Sequence, residues 1–312
     1  MEVIQLVKLI INGVDIFGQV SVRYCVHEMF AADRADILTV RFNDPASVWN
    51  KWNPAPGSVI SFENGAAKTG KLFIHSTRPE NGVYTVRAMS MPTSGKNKTS
   101  KSWAGVHFLQ IANEIAAKHG LEFQNYGCTD QLYKYIAQEN ETDFAFFWRL
   151  CMLEGYQMIV YDGKLIAYNE QYIEGQTPAA TLEIGEDGVF TYEDRSDNAF
   201  GSAIVASGNF SGTFKAPGAK SDKILKPEAA IKVTSNAEAT RFARGLLRAA
   251  NKGLVCGSFA RELMPGYAAA SLIRLNTKKA EAWNGKIFVT AVRHDHVRNK
   301  STIFFRKPLE GY

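Results

Sequence analysis

The sequence predicts a mainly β fold with α+β insertions: two related small β-barrels, an inserted α/β domain, and a second helical insertion. Three observations carry this. Residues 1–90 hold several short apolar segments separated by turn residues, with little helical period. The stretches 102–170 and 235–253 switch to a helical period. A short pattern also recurs. Pro56-Gly57, a strand and Gly70-Lys71-Leu72-Phe73-Ile74 return as Pro265-Gly266, a strand and Gly285-Lys286-Ile287-Phe288-Val289. Such an echo is the mark of an internal duplication.

In chain order, residues 3–11 are apolar and break at Asn12-Gly13, a hairpin turn signal. Val20, Val22, Tyr24 and Val26 alternate, as do Leu38, Val40 and Phe42. SVISF follows Pro56-Gly57, then KLFIHST and VYTVRAM flank Asn81-Gly82. Residues 91–101 are polar and basic and read as a linker or loop. Residues 103–119 carry Val106, Leu109, Ala112, Ile115 and Ala116 on one helical face, closed by Gly120. A second helix is predicted over 142–154, with Asn140 as N-cap and Phe144, Phe147, Leu150 and Cys151 as its stripe. A hairpin turns at Asp162-Gly163. After further β segments over 180–214 comes a basic loop and then Ser235-Asn236-Ala237-Glu238, a capping box. Its helix places Ala239, Phe242, Ala243, Leu246, Leu247 and Ala250 on one face. The expected domains are 1–90 (first barrel), 91–178 (linker and α/β insertion), 179–214 with 254–312 (second barrel), and 215–253 (loop and helix).

Composition narrows the function classes. With 46% hydrophobic and 21% charged residues, a chain of 312 residues can fill real cores. A net charge of +5 over that length is mild and does not demand nucleic acid. Cys25, Cys128, Cys151 and Cys256 form no C-x-x-C pair, so reduced, mostly buried thiols are expected. MEVIQLVKLIINGVDI lacks the layout of a signal peptide, and no run approaches the ~20 apolar residues of a membrane span. A soluble chain not exported by the general pathway is expected.

The chemistry-bearing clusters each have a bland reading. Glu139, Glu141 and Asp143 could serve a paired-carboxylate hydrolase, but acidic groups in a first helical turn are favoured by the macrodipole alone. His294 and His296 sit at strand spacing without an evident third metal ligand. Cys25-Val26-His27 has no oxyanion site beside it, and Ser94-Gly95-Lys96 lacks the full phosphate-loop pattern. Lys96, Lys98 and Lys101, and Lys215, Lys220, Lys223 and Lys226, are basic stretches that are solvated or meet acidic partner surfaces. No catalytic, cofactor-binding or metal residue is therefore assigned.

An ordered set of motifs resembles the phage tail baseplate hub family, also called late control protein D, whose hub part is related to type VI secretion spike proteins. The set runs Phe108-Leu109-x-Ile111-Ala112, His119-Gly120-Leu121, and Gln138-x-Asn140-Glu141-x-Asp143-Phe144 with the apolar helix and hairpin after it. It continues with the Ala-rich helix 237–250, Gly257-Ser258-Phe259, Pro265-Gly266, Trp283-Asn284-Gly285-Lys286, Val292-x-His294 and a last strand over 301–306. The resemblance implies barrels arranged as a tube-like ring in a homotrimer with approximate sixfold symmetry. Such a ring joins the tail tube protein to the central spike, with other baseplate proteins around it and the tape measure protein in the channel. It implies a structural, non-enzymatic role, assembly in the bacterial cytoplasm, and a place in a virion tail baseplate or R-type bacteriocin particle. Fused secretion spikes carry further domains after the hub, whereas this sequence stops at Tyr312, so the spike is expected on a separate polypeptide. The alternatives are a tail-associated cell-wall hydrolase and a basic nucleic-acid-binding module. Neither a membrane span nor specific nucleic-acid binding is expected. A charge at Phe288 is expected to block folding or assembly.

Overall fold

The structure, a computed structural model, describes residues 7–32, 34–185, 190–278 and 280–312. Residues 3–6 of the expected first strand lie outside these.

The first β unit contains β1 (Val7–Ile11), β2 (Val14–Asp15), β3 (Val22–Phe30), β4 (Ile37–Asn43), the short helix α1 (Val48–Trp52), β5 (Val59–Asn64), β6 (Ala67–Lys68), β7 (Leu72–Glu80) and β8 (Val83–Met89). Alternation decides which side of each strand is buried. Leu38, Val40 and Phe42 of β4 pack with Ile60 and Phe62 of β5, Leu72 and Ile74 of β7, and Tyr84, Val86 and Ala88 of β8. Asn12-Gly13, Asn81-Gly82 and Asp162-Gly163 all have positive φ at both positions, as two-residue hairpin turns require.

The intervening segment holds β9 (Lys98–His107), α2 (Phe108–Lys118), β10 (Glu122–Tyr126), β11 (Leu132–Thr142), α3 (Asp143–Leu153), β12 (Tyr156–Tyr161), β13 (Lys164–Asn169) and α4 (Glu170–Gly175). Two expectations are corrected here. Residues 98–107 form a strand paired with β11, not a loop running into a helix. Trp103 and Val106 supply its inward face while Lys98, Ser100 and Lys101 stay at the surface, so its composition reads as loop. Asn140 is not an N-cap: it takes φ 50° within the irregular register between Gln138 and Glu141. Thr142 caps α3 instead, its Oγ1 accepting from the Ala145 N–H.

The second unit contains β14 (Thr181–Ile184), β15 (Phe190–Asp194), β16 (Ser202–Ser207), β17 (Phe210–Lys215), β18 (Ile224–Leu225), α5 (Asn236–Asn251), β19 (Val255–Glu262), β20 (Leu272–Thr277), β21 (Gly285–Asp295) and β22 (Lys300–Arg306). β16 and β17, expected in the second barrel, instead form a separate sheet with β18, which lies in the expected basic loop. Ala203 and Val205 of that sheet share one core with α2, α3 and α5. The capping box forms: Ser235 Oγ accepts from the Glu238 N–H, and the Glu238 carboxylate accepts from the Thr234 N–H rather than from Ser235. Gly245 lets α5 approach α3, since a Cβ there would lie 2.2 Å from the Leu153 carbonyl oxygen. Gly245→Leu should therefore force the helices apart and cost about 1–3 kcal/mol, read as a lower denaturant midpoint at unchanged helical content.

The two units have matching topology. The order β1-β5-β7-β8-β4-β3 in the first recurs as β14-β20-β21-β22-β19-β15 in the second. Registers match too. Val59 faces Phe73 and Ile60 faces Leu72; Leu272 faces Phe288 and Ile273 faces Ile287. A bulge falls between Ile74 and Ser76 in one copy and between Val289 and Ala291 in the other. Gly57 (φ 90°) and Ala270 (φ 59°) hold the same backbone corner, donating to the Ile74 and Val289 carbonyls respectively. One difference stands: β1 runs antiparallel to β5, whereas β14 runs parallel to β20.

No sheet among the described residues closes into a barrel, which corrects the expectation of two separate small barrels. The reason is β21. One of its edges pairs with β22, and the other serves two partners, β20 over 285–288 and β3 over 291–295. A single 14-stranded sheet thus runs through both units.

Candidate functional site

The carboxylates before α3 are not left together as an acid/base pair. Asp143 is almost fully buried, 2.7 Å from Lys118 Nζ and 2.8 Å from His119 Nε2, and it accepts from Gln138 Nε2 at 2.9 Å. Burial pushes its acid range up, but the hydrogen bonds from Lys118, Gln138 and His119 outweigh that and hold it at about 2. Glu141 pairs with Arg149 and Glu139 with Lys232, both at 2.6 Å. The cluster ties α2, β11 and α3 together. Ser94-Gly95-Lys96 is part of the same clamp: Ser94 Oγ lies 2.8 Å from His119 Nδ1, and Gly95 lies against the Phe144 ring. Of the basic stretches, Lys101 pairs with Glu114, and Lys223 Nζ donates to the Asp197 carbonyl.

His294 lies in β21 directly opposite His27 of β3, at the junction of the two units. The His296 ring stands 5.9 Å from that of His294 and 4.6 Å from Phe62. Sequence reading found the two halves of this cluster separately, because His27 and His294 lie 267 positions apart. Among the described residues no group of three or more His, Cys, Asp or Glu side chains is placed to hold a metal. Cys25 is buried in the first unit's core, and burial, with Asp295 adding, pushes its thiol far up, the opposite of an activated nucleophile.

The junction is built for neutral histidine. Burial, reinforced by His294 and His296, lowers His27 to about 3, and His27 Nε2 is buried with no hydrogen-bond partner. Burial and His294 lower His296 to about 4 against an opposing pull from Asp295. Unfolded, each ring takes up a proton near pH 6.5. Below that pH the unfolded chain binds protons that the folded one refuses, so these groups reduce stability as pH falls from 6.5 toward 4. His27→Leu should make that acid limb shallower, measured as unfolding midpoints at pH 7 and 4.5. An equally steep loss in the variant would mean His27 is charged when folded.

A second buried cluster locks the inserted helices to the second unit. Glu170 and Glu174 of α4, Arg248 of α5, Lys252 at its C-cap, and Arg306 of β22 meet with separations from 2.6 to 3.2 Å. Burial raises the acid range of Glu170, but Arg306, Lys252 and Arg248 outweigh it and leave the group at about 2.

Two backbone edges of the large sheet lie on β7 and β15, the counterparts of β21 and β3 in the duplication. β7 pairs with β8 along its length but with β5 only over 72–73, so residues 76–80 present one open edge. β15 pairs only with β19. Both edges carry exposed charge: Arg78 with Glu80 on β7, and Glu193 with Arg195 beside β15. Both edges offer unpaired backbone groups beside exposed charge. No helix among the described residues is long and apolar enough to cross a membrane.

The fold is similar to those of several solved structures. The tail protein of Neisseria meningitidis MC58 superposes with a TM-score of 0.75 at 12% identity, over 96% of each chain. The 43 kDa tail protein of prophage MuSo2 from Shewanella oneidensis gives 0.74 at 10% identity, over 97% of this chain and 98% of that one. An E. coli component of the type VI secretion system, described as similar to the T4 tail proteins gp27 and gp5, gives 0.62 at 13% identity. It is matched over 98% of this chain and 78% of its own. No protein-family model matches the sequence, and no curated protein matches it.

Proposed function

We propose that this chain is the structural hub of a tail baseplate, in a contractile phage tail or an R-type bacteriocin particle, and is not an enzyme. Copies form a homotrimeric ring with true threefold and approximate sixfold symmetry. The ring joins a hexameric tail tube to a trimeric central spike. Other baseplate proteins surround it, and the tape measure protein passes through its channel.

The duplication carries this reading. Two units of the same strand order, register and bulge position in one chain let three copies present six alike surfaces to a sixfold tube. The likeness to phage tail and secretion-system folds supports the same role. So does the engagement of Glu139, Glu141 and Asp143 with cations, which leaves no free acid/base pair there for a hydrolase.

Light scattering on the purified chain, alone and with its spike, should give three times the 34.6 kDa chain mass, with rings in electron micrographs. A chain that stays monomeric even with tube and spike proteins, or that clears peptidoglycan in a zymogram, would defeat the proposal, the second outcome in favour of a cell-wall hydrolase.

A further inference from the structure

We infer that neighbouring copies of this chain join by pairing the open edge of β7 in one with the open edge of β15 in the next, repeating between chains the junction that β21 and β3 make within one. The inference rests on the ring proposed above, since its occupant is the adjacent copy in that ring.

The duplication maps the two contacts onto each other. Ile74 and Val289 are equivalent by their bulges, and they face Ala88 and Phe305. Those face Leu38 and Gly257, which in turn face His27 and Tyr192. So β15 stands to the second unit as β3 stands to the first. By the same count, Ser76, Thr77, Arg78, Pro79 and Glu80 correspond to Ala291, Val292, Arg293, His294 and Asp295. Within the chain the stretch 291–295 is covered by β3. Its counterpart 76–80 is uncovered, and so is the outer edge of β15. An edge strand with unpaired backbone groups is a template for another strand.

Transferring the register of the internal junction predicts the pairs between chains. Arg293 faces Glu28, with 3.9 Å between Nε and Oε1. The equivalent pair is Arg78 with Glu193 of the next copy, again opposite in charge. Asp295 facing Val26 becomes Glu80 facing Thr191. In the single chain Arg78 and Glu193 are both largely exposed, and among the described residues they pair with Glu80 and Arg195, each two positions along the chain. Pro79 supplies no N–H where His294 has one, so the contact between chains makes one hydrogen bond fewer than the internal one. A contact weaker than the intrachain one suits assembly from separate copies. It is head-to-tail, because each copy offers one edge of each kind, and such contacts build rings when their rotation closes.

Two experiments test the pairing. Arg78→Glu and Glu193→Arg should each shift assembly about tenfold to higher protein concentration by placing like charges opposite one another, and the double variant should assemble as the parent does. Oxidising a mixture of Glu80→Cys and Thr191→Cys chains should give a covalent species of twice 34.6 kDa that neither variant gives alone. All four positions are on open edges, and circular dichroism checks that each variant folds. Trimers that form without this cross-link and ignore both charge reversals would overturn the edge assignment and leave the ring standing. A chain monomeric under every condition would overturn both.

Discussion

Val289→Asp should leave no folded protein. Val289 has no solvent exposure and packs among Phe259, Ile273, Ile287, Ile303 and Phe305 in the core of the second unit. Removing the side chain forfeits about 1.5–3 kcal/mol of apolar burial. The new carboxylate must then be buried ionised, at a cost of many kcal/mol, or be protonated against its ordinary acidity. Domains are stable by only about 5–15 kcal/mol, so the sum exceeds what the fold can absorb. Phe288→Asp, one residue earlier, should be milder than the sequence suggests. Phe288 is equally buried, but the Arg306 guanidinium lies 4.4 Å from its ring centre, so a carboxylate there gains a cation. Soluble yield and circular dichroism should rank parent above Phe288→Asp above Val289→Asp. A Val289→Asp chain that melts with the parent would show that this strand does not form the core of the unit.

Local features were legible where the physics is local. Two-residue turns at Asn12-Gly13, Asn81-Gly82 and Asp162-Gly163 need positive φ, and the residue types announce it. The stripe of α5 and its Ser235 cap read correctly because helical spacing and capping act within a few residues, although Ala250 turns out exposed. The recurrence of Gly-Lys followed by three apolar residues pointed to the duplication, while the shared bulge and strand order that establish it involve partners far apart in sequence. Misreadings came from strands that bury little. β9 hides only Trp103 and Val106 and runs straight into α2, so its inward positions merged with the helical pattern. The expected closing of the first β unit failed because pairing of β3 with β21 is set by an edge 267 positions away in the junction, which no window along the chain reports. The buried ion cluster was missed for a related reason. Glu170 with Glu174, and Arg248 with Lys252, are like charges at i, i+4 spacing. Such pairs repel unless an opposite charge faces them, and that was the available signal: two facing helices of opposite sign.

Glu170→Gln should destabilise the folded chain by about 3–5 kcal/mol, because it removes the charge of one partner from a buried ionic group and leaves the others uncompensated. Glu170 is 2% exposed and lies within 3.2 Å of Arg248, Lys252 and Arg306. After the change, three cations would face Glu174 alone. The same carboxylate binds α4, α5 and β22 into one block, so the loss should appear as a lower denaturant midpoint for the whole chain rather than fraying of one helix. Its pH dependence follows from its acidity, about 2 when folded against 4.5 ordinarily. The folded-state value is depressed, so the contribution is fully present above pH 4.5 and is lost as pH falls through about 2. The stability gap between parent and Glu170→Gln should therefore hold steady from pH 5 to 8 and narrow in stronger acid. Replacing Glu170, Glu174, Arg248 and Arg306 together with apolar residues of similar size should cost far less than the single change, since it strands none of their charges in the interior. A single substitution that costs no more than a surface ion pair, about 0–1 kcal/mol, would mean that water reaches the cluster and that the helices are held by apolar packing alone.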